Sequence, residues 1–486
     1  MNQGVLDLGH ELVVDLFAGG GGASLGIEWG LGRAPDVAIN HDPTAIAMHQ
    51  VNHPATQHYC ESVFDVDPVR ATRNQPVGLL WASPDCTHHS KAKGGKPVSK
   101  KIRGLAWMVV RWAKRTRPRC IALENVEEFA DWGPLDEAQR PDKVRKGEYF
   151  RRWVAQLERL GYRVESRILR ACDYGAPTMR RRLFVVARRD GRAIRWPDAT
   201  HGAPDNPLVR KGKRHSWRTA AKCIDWSIPC PSIFARKKPL AEATMRRIAR
   251  GVQRFVLEHR EPYVVRDQVP WFIPRHGEHS QQHPRTRDVR EPMPTVTSTA
   301  NGAGLVSAFL AKHYGGHEND GWGLAQPIST VTAKDHHAVV AAHLLNQHGS
   351  DQRHASANAV APSVCAGGNH AALVLAFLGT YYGNDSLYDV RDPTPTATGK
   401  DRMQLVTVQI DGTAYVLTDI GMRMLAPREL FRANGFPDSY IIDHGPDGER
   451  LTKTAQVRLV GNSVPPQWAQ ALVAANFKHE RELVAA

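Results

Sequence analysis

Three short stretches hold side chains that could act together on one substrate. "WASPDCTHHSKAKGG" (Trp81 to Gly95) sets Cys86 behind Pro84-Asp85 and ahead of His88, His89, Lys91 and Lys93, with Lys96 just beyond. "ALENV" (Ala122 to Val126) closes an apolar run on a carboxylate, Glu124. "PTMRRRLFVV" carries Arg180 and Arg182 two residues apart, on one side of an entering strand, because alternate strand residues share a face. Nearby cations favour the thiolate. Nucleophilic sulfur, a carboxylic acid and paired guanidinium groups suit the addition of a thiol to an electron-poor ring. Cys86 has two other readings, metal ligand and small core residue. Adjacent histidines in a Lys-rich loop point apart, so no metal site is expected.

These residues need a scaffold, and the first 190 residues supply one. Apolar segments at Leu12–Leu16, Val37–Asn40, Leu79–Ala82, Cys120–Leu123, Val164–Leu169 and Leu183–Ala187 read as strands. Amphipathic stretches at Pro43–Val51, Gly104–Arg117 and Tyr149–Leu160 read as helices between them. Strand–helix alternation with nearly all-apolar strands predicts an α/β fold, a parallel sheet covered on both faces. Ligands collect at the carboxyl ends of such strands. "FAGGGG", "NHD", "SPDC" and "ENV" each follow one. "DLFAGGGGASLGIEWG" (Asp15 to Gly30) is a strand, a glycine turn and a helix; it is neither GxGxxG nor a P-loop. It permits a nucleotide-like cofactor without a bridging pyrophosphate, and S-adenosylmethionine fits.

The chain has 486 residues, enough for two or three domains. Lys and Arg outnumber Asp and Glu by 64 to 49, a net charge of +15, which points to a polyanionic partner such as nucleic acid. "TMRRRLFVVARRDGR" and "VRKGKRHSWR" concentrate that charge. No apolar run reaches the roughly 20 residues of a membrane span, and the N-terminus lacks signal-peptide order, so a cytoplasmic protein without membrane contact is expected. Seven scattered cysteines show no disulfide framework.

From Arg188 to Ile420 the text turns to Pro, His, Gly and Thr, and repeats itself. "EPMPTVTS" (Glu291 to Ser298) recurs as "AQPISTVTA", "AVAPSVCA" and "RDPTPTATG" (to Gly399), each followed by an apolar segment. The period is about 34 residues, and its turn and β chemistry predicts stacked β-rich units. After Ile420, helical text returns in "APRELFRANGFPDSY" and "VGNSVPPQWAQALVAAN".

The order DLFAGxGG, a Pro-Cys loop, ENV, RxR, a long variable region, a segment ending GFPDSY and GNSVPP resembles the DNA cytosine-5 methyltransferases along the chain, the variable region excepted. The resemblance implies a Rossmann-like S-adenosylmethionine-dependent methyltransferase sheet with helices on both faces and an inserted target recognition domain. The domains would be 1–190 and 421–486, together catalytic, and 191–420, reading double-stranded DNA. By motif, Cys86 is the nucleophile for cytosine C6, Glu124 the acid that engages N3, and Arg182 with Arg180 the pair that orients Glu124; Asn125 holds the loop. Phe17, Ala18, Gly19, Gly20 and Gly22, with Leu105 and the returning Asn462, Ser463 and Val464, would hold S-adenosylmethionine. The target base would be flipped from the duplex. The resemblance also implies a monomer, and admits a cognate restriction endonuclease encoded nearby as a partner.

The sequence departs from the family pattern at several points. Asp85 and Thr87 flank the cysteine where proline and glutamine are usual; a carboxylate beside a thiolate raises its pKa unless it faces away. Asn40, with His41, stands where an acid would take the ribose hydroxyls, and Glu61 is the candidate for the adenine. Thr178 replaces a glutamine ahead of the arginines. Three rival readings are an RNA cytosine-5 methyltransferase, a non-catalytic DNA-binding regulator and an amino-methyltransferase. The first usually lacks a large variable domain. The second has no use for Cys86, Glu124 and Arg182. The third would carry a different tetrapeptide where Ser83-Pro84-Asp85-Cys86 stands.

Overall fold

The computed structural model describes residues 11–85, 104–137, 140–234, 236–274, 285–296, 303–312, seven short strands between 342 and 410, and 413–477. The chain divides into two units, one of residues 1–224, 291–302 and 426–486, the other of 225–290 and 303–425. The sequence reading set its boundaries at 190 and 420. Residues 291–302, which hold the first repeat motif, belong with the first unit.

The first unit is built on a seven-stranded sheet. Its strands are β1 (Leu12–Leu16), β2 (Val37–Ile39), β3 (Gln57–Tyr59), β4 (Val77–Ala82), β5 (Cys120–Asn125), β6 (Arg163–Arg170) and β7 (Arg181–Arg188), in the order 3-2-1-4-5-7-6. The first five are parallel, whereas β7 runs antiparallel to both β5 and β6. The expected parallel sheet is therefore corrected at one strand, β7. Residues 171–180 join β6 to β7, too short a link for the crossover that parallel neighbours require. β3 escaped the sequence reading because Gln57-His58-Tyr59 is a polar, half-buried edge strand.

Helices cover both faces. Leu12, Val14 and Leu16 face α3 (Leu105–Thr116) and α4 (Glu148–Arg159), where Trp112, Trp153 and Leu157 are buried. Val13, Leu79, Trp81, Phe184 and Val186 face α1 (Gly22–Leu31) and the C-terminal helix α8 (Pro466–Asn476), which supplies Trp468, Leu472 and Val473. Glycines let α1 and α8 meet closely. A Cβ on Gly26 would lie 2.1 Å from the Pro466 carbonyl oxygen, and one on Gly30 3.0 Å from Val473. Helix α2 is Pro43–Asn52, and α6 (Pro427–Ala433) and α7 (Lys453–Asn462) lead into α8.

The second unit is strand-rich. Gln268–Pro274 is flanked by Arg287–Asp288 and Ala303–Lys312, and the sheet continues through Thr413–Met424 to Thr407–Ile410. Helix α5 (Glu242–Gly251) packs Ile248 on this sheet with Trp271, Val306 and Ile420. That helix falls within the stretch from Arg188 to Ile420, where stacked β-rich units are expected.

The repeats have a shared backbone register. In three copies a strand pairs antiparallel with a short strand of its own copy: Trp271 opposite Asp288, His343 opposite Ser356, Phe377 opposite Asp389. Each of those partners stands six residues before the motif proline at Pro294, Pro362 or Pro395. The strand's other edge takes the next copy, Trp271 opposite Val306 and His343 opposite Val374. One β unit is thus written repeatedly.

Candidate active site

The strand order reverses direction at β1 and β4, where α/β sheets place their ligands. Leu16 is level with Ile39 and Ala82, and Ala82 with Leu123, so the segments after β1, β2, β4 and β5 emerge side by side.

After β1 the chain makes its glycine turn. Phe17 sits at φ +66°, a left-handed conformation costly for a residue with a side chain, and Gly19 and Gly21 at +49° and +81°. Ala18 donates its N–H to the Ile39 carbonyl at 3.1 Å, which ties the turn to the end of β2. A Cβ on Gly20 would lie 2.8 Å from Ser463 Oγ, and one on Gly22 2.1 Å from the Val464 carbonyl oxygen. The structure so brings Gly20 and Gly22 against Ser463 and Val464, and Gly22 is where the C-terminal backbone crosses. Asn462 is exposed, while Phe17 and Leu105 are half-buried against the same core.

After β2, Asn40 accepts the Asp42 N–H on its own side-chain oxygen at 2.9 Å, and His41 is exposed. Asp42 caps α2 by accepting the Thr44 N–H at 3.0 Å and takes Arg458 of α7 at 2.5 Å. Burial pushes its carboxyl up, but Arg458 and Thr44 outweigh that and hold it below the usual range. Glu61 is exposed, with Arg70 at 4.0 Å.

The chemical end lies after β4 and β5. Glu124 is 6 % exposed at the end of β5. Arg182 Nε stands 3.0 Å from its Oε1, an ion pair without hydrogen-bond alignment. The Asn125 amide donates to the Pro84 carbonyl at 3.1 Å, fixing the chain two residues before Cys86. Cys86 itself lies outside the described residues; Asp85 is exposed to solvent. Arg180 is buried and donates to two backbone carbonyls, Gly461 at 2.8 Å and Val296 at 3.2 Å. The guanidinium at Glu124 is Arg182's, and Arg180 ties the start of β7 to the first unit's segments 291–302 and 426–486. Burial pushes the thiols of Cys120, Cys172 and Cys223 up to about 12, which leaves them inert at neutral pH.

Sequence reasoning passed over a polar cluster under the glycine turn. Ser24 Oγ donates to Asp15 Oδ2 at 2.7 Å, His49 Nε2 stands 2.9 Å from Ser24 Oγ, and His49 Nδ1 stands 2.7 Å from His58 Nε2. Burial raises the Asp15 carboxyl to about 7, partly offset by Ser24. Tyr440, of the GFPDSY motif, donates its hydroxyl to the Gly20 carbonyl at 2.9 Å. The one available signal was an acid inside the apolar run Leu12–Leu16.

The sequence profile of the C-5 cytosine-specific DNA methylases matches residues 12–225 and 332–478. The chain belongs to that family. Among similar proteins, the Type II methyltransferase M.SacI of Streptomyces achromogenes is 31% identical over 217 residues, 40% of this chain and 52% of that protein. M.AquIA of Picosynechococcus is 27% identical over 210 residues, 40% of this chain and 79% of that one. The chain thus spans about half the length of M.SacI. A solved putative DNA modification methyltransferase encoded within an E. coli prophage aligns at a TM-score of 0.47 and 15% identity, over 98% of this chain and 100% of that one. Glu124, Asn125 and Arg182 stand together at the strand ends described above. No described helix is long and apolar enough to cross a membrane.

Proposed function

We propose that this chain transfers a methyl group from S-adenosylmethionine to C5 of a cytosine in a specific sequence of double-stranded DNA. The observation that carries this reading is the placement of Glu124. It is a buried carboxyl paired with Arg182, on the strand whose next residue, Asn125, anchors the loop that leads to Cys86. A buried acid beside a guanidinium has little purpose in a core, since burying such a pair gains little stability.

The Cys86 sulfur bonds to C6 of a cytosine turned out of the duplex. The C5–C6 π pair is thereby released toward C5, while Glu124 supplies a proton to N3 and Arg182 steadies the carboxylate left behind. Bound at the glycine turn, S-adenosylmethionine supplies the electrophilic methyl group that C5 takes. Loss of the C5 proton to a base, return of the N3 proton to Glu124 and expulsion of the Cys86 thiolate restore the ring. Reaching the buried base costs roughly a few kcal/mol of unstacking.

The turn suits this cofactor. Phe17 and Gly19 hold left-handed backbone, which opens the turn to a ligand, and Asp15 Oδ1 is fully buried without a hydrogen-bond partner. Phe17, Ala18, Gly19 and Gly20 would line the cofactor pocket, with Asn40, His41, Glu61, Leu105, Asn462, Ser463 and Val464 around it; Gly22 admits Val464. The strand-rich unit with its repeats would read the DNA sequence. The names of the Type II relatives make a cognate restriction endonuclease the partner to seek.

Bisulfite sequencing of DNA from cells producing the protein tests the reading. Wild type is expected to leave 5-methylcytosine at one sequence, and Cys86→Ala to leave none while still binding DNA. Full methylation by Cys86→Ala would sink the assignment.

A further inference from the structure

Ser24, His49 and His58 form a continuous hydrogen-bonded chain that ends on Asp15, and all of its groups but His58 are fully buried. Its members come from four elements, β1, α1, α2 and β3, which makes it a tertiary feature rather than a local motif. Burial, then His53 and His58, drive His49 well below the ordinary imidazole range, and burial with His53 takes His58 to about 4. Both rings are therefore neutral at pH 7, each with one donor and one acceptor nitrogen. Ser24 has one hydroxyl proton and donates it to Asp15. His49 Nε2 must then donate to Ser24, which leaves His49 Nδ1 to accept from His58 Nε2. These tautomers belong to the ionised form of Asp15, whose carboxyl burial raises to about 7.

The chain passes directly under the glycine turn. A Cβ placed on Gly21 would lie 3.4 Å from His49 Cδ2 and 2.0 Å from the Tyr440 hydroxyl oxygen, so Gly21 rests on both side chains. His53, which closes α2, is 3.1 Å from Glu28, and its ring is tilted 45° to that of His49 with centroids 4.6 Å apart.

We propose that Ser24, His49 and His58 are positioning residues that hold Asp15 and the glycine turn in the shape competent to bind the cofactor. His49 is the central member, because both its ring nitrogens are engaged. The inference rests on reading the turn as an S-adenosylmethionine site. A turn that spends only a fraction of its time in the competent shape binds more weakly by that fraction.

The test is calorimetric binding of S-adenosylmethionine and S-adenosylhomocysteine to the full-length protein, wild type against His49→Phe and Ser24→Ala. The first variant keeps a ring in place without nitrogens; the second removes one oxygen and is the milder change. Both are expected to raise Kd about tenfold. The KM for S-adenosylmethionine should rise in parallel, with kcat and the KM for DNA within about twofold. General loss of structure would instead lower kcat and weaken DNA binding together. Unchanged Kd in Ser24→Ala, or a fall in kcat at constant Kd, would overturn the relay's role while leaving the methyltransferase reading intact. Wild-type protein that binds neither ligand would overturn the cofactor site itself, and the relay's role with it.

Discussion

Arg180 and Arg182 stand two residues apart with the same side chain, and the structure gives them different tasks. Arg182 meets a carboxylate, whereas Arg180 hydrogen-bonds to the carbonyls of Gly461 and Val296. Arg182→Ala is expected to lower the methylation rate about a hundredfold, the scale of losing one electrostatic group at a reacting centre, with little change in Tm. Arg180→Ala should do the reverse. It strands two acceptors, at about 1–3 kcal/mol for each left unsatisfied, and should lower Tm by several degrees before it touches the rate per folded molecule. Thermal melts beside single-turnover kinetics separate the two; equal effects in both assays would refute the division. The face rule placed these residues on one side of a strand, but it does not say what each long side chain reaches. Arg180 lies just before β7 begins, where strand alternation no longer governs direction.

At the scale of elements, the contact of α1 with α8 decides how the chain's two ends form one sheet-covering layer. Gly22, Gly26 and Gly30 recur every four residues, one helical face, and that face lies along α8. Gly26→Ala puts a methyl 2.1 Å from the Pro466 carbonyl oxygen and 2.7 Å from the Ala469 Cβ, so one helix must move. Overpacking of this kind costs about 1–3 kcal/mol, despite alanine's better helix propensity. A lower denaturation midpoint with unchanged helical circular dichroism is the expected outcome; a higher midpoint would show that α8 yields freely. The glycine pattern was visible in "GASLGIEWG", which reads as the helix after the glycine turn, with only Gly22 of the stripe assigned to the cofactor. Only the packed helices show that most of the stripe serves the closure. The repeats are the opposite case, because their period was legible in the text and their strand register follows it copy by copy.

For the whole molecule, the net charge of +15 bears on DNA binding. Binding that neutralises phosphates weakens with salt, by roughly 0.9 log unit per log unit of salt for each phosphate engaged. Nonspecific duplex binding, measured by fluorescence anisotropy from 50 to 200 mM salt, should therefore fall steeply along a straight log–log line. A flat line would mean that the charge serves something other than DNA.

By itself the sequence determined the parallel core of the sheet, the family and the repeat period, and it singled out Glu124, Asn125 and Arg182 as candidates. Each of these is written locally, in strand periodicity or in a run of adjacent residues. What only the tertiary structure decided depends on residues far apart in the chain. The reversal of β7 follows from a link too short to cross the sheet. The division between Arg180 and Arg182 depends on carbonyls more than a hundred residues away. The histidine chain under the glycine turn needs β1, α1, α2 and β3 to be assembled before any of its hydrogen bonds exists. Hydrogen bonds of this kind leave no period in the sequence, because their partners are chosen by folding and not by spacing.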